Sequence, residues 1–164
     1  HNGTVDKYEG DGIMAFFGEP AHRPDHAVLA CRAALEMQQA LKTLTTRWQE
    51  AGWVINAFEM GIGIHTGDVF VGLLGSDERL NYTVIGDAVN LTARLQEQTK
   101  QYDWPSLVSS ETMVQLGGRF ESEYLGERVM RGKTEPVEMH KLIGEIGGLH
   151  ISDDATPPDF KAVV

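Results

Sequence analysis

The apolar run Ile13 to Phe17 follows a charged stretch, and Thr4 to Tyr8 and Gly12 to Phe17 read as two strands joined by Glu9-Gly10-Asp11, where Gly10 supplies the positive φ of a hairpin turn. The loop Gly18 to Asp25 follows, and Pro24 and Asp25 give helix-start signals. The period then changes: Ala27, Cys31, Ala34, Leu35, Leu41, Leu44 and Trp48 recur at three- and four-residue spacings, predicting one long helix that ends at Gly52. Phe58 to Ile64 alternates apolar residues with glycine and Val69 to Leu74 is apolar again, so the intervening His65-Thr66-Gly67-Asp68 predicts a second hairpin. A polar tip, Gly75 to Asn81, leads to a short strand over Tyr82 to Gly86. Asp87 is placed to cap a helix over Ala88 to Lys100. A strand at Leu107 to Ser109, a short helix capped by Ser110 with Glu111 in its first turn, and two strands, Phe120 to Met130 and Pro136 to Ile143, complete the pattern. Strands paired by hairpins with helices packed on one face predict an α+β fold with a mostly antiparallel sheet. From about Glu145 the chain has little to bury, so residues 1–144 are expected to form one domain and 145–164 a mobile C-terminal tail.

Composition narrows the function classes. The chain has 164 residues, 41% of them hydrophobic and 23% charged, which is ordinary for one globular domain. Its net charge of −10 argues against a nucleic-acid or anionic-membrane surface as partner, although a few local cations and a metal ion could still take up a phosphate compound. Cys31 is the single cysteine, which excludes an internal disulfide and a thiolate zinc cluster. No apolar stretch approaches the roughly 18 residues of a membrane span, and no signal peptide opens the chain, so a cytoplasmic location is expected. The abrupt start, His1 running straight into a strand, is read as a piece of a longer chain.

Three segments carry candidate chemistry. Asp11 sits at the first hairpin tip between Gly10 and Gly12, where an oxygen ligand could hold Mg²⁺ with phosphate and water completing its shell. Asp and Gly are also common in plain solvated turns. Asn90 and Arg94 are four apart on a predicted helix and share a face, an amide beside a guanidinium that would suit an anionic transition state. An ordinary surface pair has the same spacing. Arg131 and Lys133 flank Gly132 near a turn, as they would in any exposed basic hairpin. Gly61, Gly63, Gly67 and Gly72 fit strand bends or close packing, and His65 reads as a packed or capping residue.

Taken in order, "DKYEGDGIMAFFG", "GIGIHTGDVFVG", "YTVIGDAVNLTARL" and "RGKTEPVEM" resemble the catalytic domain of class III adenylyl cyclases over roughly Thr4 to Ile143. The resemblance implies the ferredoxin-like cyclase palm and conversion of ATP to cyclic AMP and pyrophosphate with two Mg²⁺ or Mn²⁺ ions. Asp11 matches the second of the family's two metal aspartates. Lys7 matches the lysine that reads adenine, and Thr83 stands where an aspartate or threonine assists that reading. Threonine there resembles a subgroup often stimulated by bicarbonate. Asn90 and Arg94 match the pair that stabilises the transition state. Arg131 stands where the family carries a lysine for the terminal phosphates, with Lys133 a substitute; arginine keeps the charge but is bulkier and forked. The family's first metal aspartate lies on a strand upstream of His1, so the fragment alone is expected to bind metal poorly. The resemblance also implies a head-to-tail homodimer with shared sites. Asp6 and Glu9 are read as solvated. Two rival readings are a guanylyl cyclase, against which Lys7 and Thr83 argue, and an inactive cyclase-like dimerisation or regulatory module, against which the joint presence of Lys7, Asp11, Asn90 and Arg94 argues.

Overall fold

The computed structural model describes residues 1–54, 56–76, 78–130 and 136–151. The first hairpin forms as its sequence predicts: β1 (Thr4–Glu9) pairs antiparallel with β2 (Gly12–Phe16), and Gly10 turns the chain at φ 64°. The ladder is irregular between Val5 and Lys7, where Asp6 is an extra residue in β1.

The long helix, α1, spans His26–Glu50. Asp25 occupies its N-cap position, but its carboxylate takes both hydrogen bonds of the Arg23 guanidinium at 3.0 Å and caps nothing. Its C-terminal end is closed by Gly52 at φ 72°, whose N–H donates to the Gln49 carbonyl. The buried stripe continues from Ala27, Cys31 and Ala34 to Thr45, and Leu44 is exposed. Steps of three and four from Ala34 through Gln38 and Leu41 reach Thr45; Leu44 lies one position off that line. Cys31 is fully buried, and burial pushes its thiol up to about 12, so it is a core residue and not a nucleophile.

The second predicted hairpin does not form. Only Ile62–Ile64 of the expected strand is paired; this is β3, and its partner is β6 (Ser106–Ser109), in parallel register with Ile62 opposite Ser106 and Ile64 opposite Val108. The second apolar run becomes β4 (Phe70–Ser76) and pairs antiparallel with β5 (Arg79–Ile85), seven residues against seven. That tight hairpin satisfies more backbone groups than a three-residue partner could. The polar segment after β4 is therefore its own hairpin tip, and β5 starts before the predicted Tyr82.

Helix α2 (Asp87–Gln98) follows β5 directly, with Gly86 at the N-cap and Asp87 as its first residue, where a carboxylate complements the helix dipole. Helix α3 (Ser110–Leu116) is capped by Ser109, not Ser110, through a 3.4 Å bond from the Thr112 N–H. The Ser110 hydroxyl instead lies 2.9 Å from His140 Nε2. Strands β7 (Phe120–Val129) and β8 (Pro136–Glu145) pair antiparallel as expected and complete a four-stranded sheet in the order β3-β6-β8-β7. At the end of β8, Gly144 bridges to His150 and Glu145 accepts both hydrogen bonds of the Arg32 guanidinium, and beyond it Ile151 packs on the core.

The result is the expected α+β palm with mostly antiparallel pairing, but the helices do not all pack on one face: α1 and α3 cover one side of the sheet and α2 the other. Ile62 and Ile64 join Ala27, Val28, Cys31, Val108 and Leu142 in a core under α1 and α3. Gly61 and Gly63 point the other way, toward α2. A second core joins Leu91 and Leu95 of α2 to Val137 and Met139 of β8. The alternation of glycine and isoleucine thus has a physical cause. A Cβ on Gly63 would stand 2.5 Å from both the Thr92 carbonyl oxygen and the Gln96 backbone nitrogen, closer than atoms can approach. Backbone cannot yield as a side-chain tip can, so Gly63→Val is expected to cost about 1–3 kcal/mol and lower the melting temperature by roughly 5 °C. Thermal unfolding followed by circular dichroism measures this; an unchanged midpoint would show that α2 does not rest on the glycine.

Candidate active site

Two structural units carry the candidate residues. The β1–β2 hairpin carries Lys7 on its first strand and Asp11 at its turn, where the Asp11 side chain is exposed. Gly10 has no atom within 4 Å of where a Cβ would stand, so the tip is open to an approaching group. The β5–α2 unit carries Thr83 near the end of the strand, then Asn90 and Arg94 one turn apart on the helix. Strand β1 packs against β5, and the ring centroids of Phe16 and Tyr82 lie 6.1 Å apart, so the two units are neighbours.

The polar atoms of this region are poorly satisfied. Thr83 Oγ1 and Arg94 Nη1 are both shielded from solvent, and neither has a hydrogen-bond partner among the described residues. Buried donors and acceptors are ordinarily paired because desolvating them unpaired is costly. Gln98 Oε1, at the end of the same helix, is a third such atom of this strand–helix unit, and at Thr83 and Arg94 a ligand could supply the partners. Asn90 is exposed on the same helix and also lacks a partner among the described residues. An unpaired guanidinium beside a free amide suits phosphate and sugar oxygens.

Asp6, expected to be solvated, is not. Its side chain is only 2% exposed, against 43% for Lys7, and Lys7 Nζ lies 3.3 Å from Asp6 Oδ2. The contact is ionic and misaligned for hydrogen bonding, since Oδ2 still lacks a donor. Glu9 is exposed, as expected. His65 is a packed residue: its Nδ1 lies 2.8 Å from Ser109 Oγ, and Thr66 Oγ1 lies 3.1 Å from Thr112 Oγ1, tying the segment before β4 to the start of α3. Arg131 and Lys133 lie outside the described residues.

Among the described residues no three His, Cys, Asp or Glu side chains cluster closely enough to hold a metal ion. Asp11 is nonetheless a suitable single ligand for a hard cation that takes most of its shell from phosphate and water.

The adenylate and guanylate cyclase catalytic domain matches residues 5–144 of the chain. The chain belongs to that family. Adenylate cyclase 1 of Rhizobium meliloti (strain 1021) is 30% identical to this cyclase domain over 95% of the chain and 23% of the relative. The domain therefore spans less than a quarter of that protein's length. The solved structure of the adenylyl cyclase CyaB from P. aeruginosa superposes with a TM-score of 0.79 at 31% identity, covering 87% of this chain and 72% of that one. The guanylyl cyclase Cya2 superposes with a TM-score of 0.77 at 34% identity, covering 93% and 76% respectively. These likenesses place the cyclase domain on the ferredoxin-like palm expected from its motifs. Among its described residues no helix is long and apolar enough to cross a membrane.

Proposed function

We propose that this domain belongs to an adenylyl cyclase that acts in the cytoplasm and converts ATP to 3′,5′-cyclic AMP and pyrophosphate. The observation that carries the reading is the buried Arg94 Nη1, without a partner among the described residues, one helical turn from the exposed Asn90 amide. In the reaction the ribose 3′-oxygen bonds to the α-phosphorus, the bond from that phosphorus to the pyrophosphate oxygen breaks, and the 3′-hydroxyl proton leaves. Negative charge on the α-phosphate oxygens peaks between these events. Arg94 is placed to offset it with a donor already desolvated, so little reorganisation is needed at the moment of reaction. Asn90 orients the sugar. Arg131 or Lys133 takes the terminal phosphates. Asp11 would hold a divalent cation, Mg²⁺ or Mn²⁺; when bound, such a cation offsets triphosphate charge and activates the attacking oxygen.

Base choice rests on Lys7 and Thr83. The lysine ammonium donates to adenine N1, an acceptor, and the threonine hydroxyl can accept from the adenine amino group. The guanylyl alternative is chemically close, and Cya2 resembles this chain about as well as CyaB does. The discriminating feature is the pair of side chains that meets the base. An inactive module would have no need of an arginine whose Nη1 is buried without a partner among the described residues.

The site is proposed to be completed by a second copy of the domain. The β4–β5 hairpin leaves large apolar side chains uncovered, Phe70 at 60% exposure and Leu73 at 64% among them, with Leu80 and Ile85 also exposed. The hairpin thus exposes apolar side chains on both faces, Phe70 and Ile85 on one and Leu73 and Leu80 on the other, which supports its use as an interface. A head-to-tail homodimer would cover it and form two equivalent sites.

The test is cyclic AMP formation from ATP with Mn²⁺, by the chain as given or by one extended upstream of His1. Product from ATP in clear excess over product from GTP is expected. Replacing chloride with bicarbonate at fixed pH and ionic strength is expected to raise the rate if Thr83 places the domain in the bicarbonate-responsive subgroup. A folded dimeric, extended protein that forms no cyclic nucleotide would leave the regulatory-module reading standing.

A further inference from the structure

Successive side chains of a regular strand point to opposite faces, so the tips of neighbouring residues do not meet. In β1 they do: Lys7 Nζ lies 3.3 Å from Asp6 Oδ2. The irregularity of the ladder explains this, because Val5 pairs with Ala15 and Lys7 with Met14, leaving Asp6 as the extra residue of a β-bulge. A bulge re-aims side chains and brings two consecutive ones toward one side. The two ends of the pair are unequally buried, with the carboxylate 2% exposed and the lysine side chain 43% exposed. The carboxylate is thus beneath and the ammonium above, reaching solvent. Asp6 Oδ2 receives no aligned hydrogen bond, so the ammonium is held by charge while its N–H donors stay available.

A buried carboxylate is costly to keep, and an unpaired one more so. Conserving the fold alone would not require it at this position, since an apolar residue could fill the same space. We propose that Asp6 is a positioning residue for Lys7: the bulge sets its buried carboxylate under the ammonium and fixes that flexible side chain where it meets the purine ring. The inference rests on the reading of Lys7 as the base-recognising lysine. It adds a residue that never touches the nucleotide, and it explains why charges crowd onto this strand. Asp6 orients, Lys7 reads, and Asp11 at the tip serves the phosphates.

The experiment is a double-mutant cycle on the nucleotide-cyclising protein, with Asp6→Asn, Lys7→Met and both together, reading KM, kcat and the ATP:GTP preference. The amide is nearly isosteric and removes only the charge. Asp6→Asn is expected to raise KM for ATP roughly tenfold, leave kcat nearly unchanged and lower the ATP:GTP preference by a similar factor. In the Lys7→Met background it should change none of these. A merely structural carboxylate would act equally with or without Lys7, so an effect that adds in full overturns the proposal. So does an Asp6→Asn enzyme with unaltered KM and preference while Lys7→Met shifts both. If Lys7→Met itself leaves base preference unchanged, the underlying reading of Lys7 fails first, a result distinct from the other two. Should Asp6→Asn not melt like the native protein, Asp6→Glu runs the same cycle, because it keeps the charge but displaces it. It is then expected to lower the ATP:GTP preference only when Lys7 is present.

Discussion

Asp11→Ala and Arg94→Ala, each nearly inactive as a pure protein, are expected to regain activity when mixed. Asp11 is at the β1–β2 turn and Arg94 on α2, and neither forms a hydrogen bond or ion pair with the other. In the proposed head-to-tail dimer one copy contributes the aspartate to a site and its partner the arginine. Each pure variant then carries the lesion in both sites, and loss of a charge-stabilising donor or of a metal ligand is expected to lower kcat on the order of 10²- to 10³-fold. In a heterodimer of the two variants one site carries both lesions and the other carries none. With free subunit exchange, half the dimers are mixed and half their sites intact, so roughly a quarter of the unmutated activity should return. The check is cyclic AMP formation against mixing ratio, with heterodimers verified by mass on differently sized tags. A mixture as inactive as its parts, although heterodimers are present, would show that each copy builds its own site.

The second large effect concerns base choice. Lys7→Glu replaces a donor that suits adenine N1 with an acceptor that suits the protonated N1 of guanine. ATP turnover is expected to fall on the order of 10²-fold, and GTP turnover much less. Asp6 complicates the reading in a way the sequence does not reveal. A glutamate at position 7 would set two carboxylates together where Lys7 now lies 3.3 Å from a buried Asp6 Oδ2. Like-charge repulsion could then damage the hairpin, so Lys7→Gln, neutral and similar in reach, belongs beside it. Both variants should disfavour ATP relative to GTP. Equal losses on both substrates, with native melting curves, would assign Lys7 a structural role.

What the sequence revealed and what it hid follow from how local each signal is. The β1–β2 hairpin is written in adjacent residues, with Gly10 at the one position that needs a positive φ, and it forms as read. The same holds for the β7–β8 pair and for the first half of the stripe along α1, which then runs to Thr45 and leaves Leu44 exposed. Strand β3 was misassigned because its partner, β6, lies far along the chain and runs parallel to it, and nothing within the segment from Met60 to Asp68 encodes that pairing. Two apolar runs around a polar tetrapeptide look like a hairpin whichever partners they take. Lys7, Asp11, Thr83, Asn90 and Arg94 are proposed from ordered motifs, and Thr83 and Arg94 keep buried polar atoms without partners among the described residues. Asp6 was missed because a bulge has no residue signature in a charged strand. Its burial depends on packing across the hairpin, a property no window of sequence contains. A signal was present only in hindsight: an aspartate next to a lysine on a strand should alternate away from it, and here it does not.

The contact between α2 and β3 has a further consequence for how the domain can vary. Where a helix rests on a sheet through side chains, each substitution at the seam shifts it a little, and a lineage can drift by many small repackings. At Gly63 the helix rests on the strand through main chain, the Thr92 carbonyl and the Gln96 nitrogen, and these atoms are the same whatever residues occupy positions 92 and 96. The standoff between strand and helix is therefore a fixed gauge, independent of α2's own sequence. Arg94 sits between those two contact points, so its height above the sheet is inherited from that gauge. Exposed residues of α2 other than Asn90 can change without moving the guanidinium's anchor, whereas Leu91 and Leu95 stay tied to the second core. The residue that sets the gauge, Gly63, belongs to another element, the strand β3.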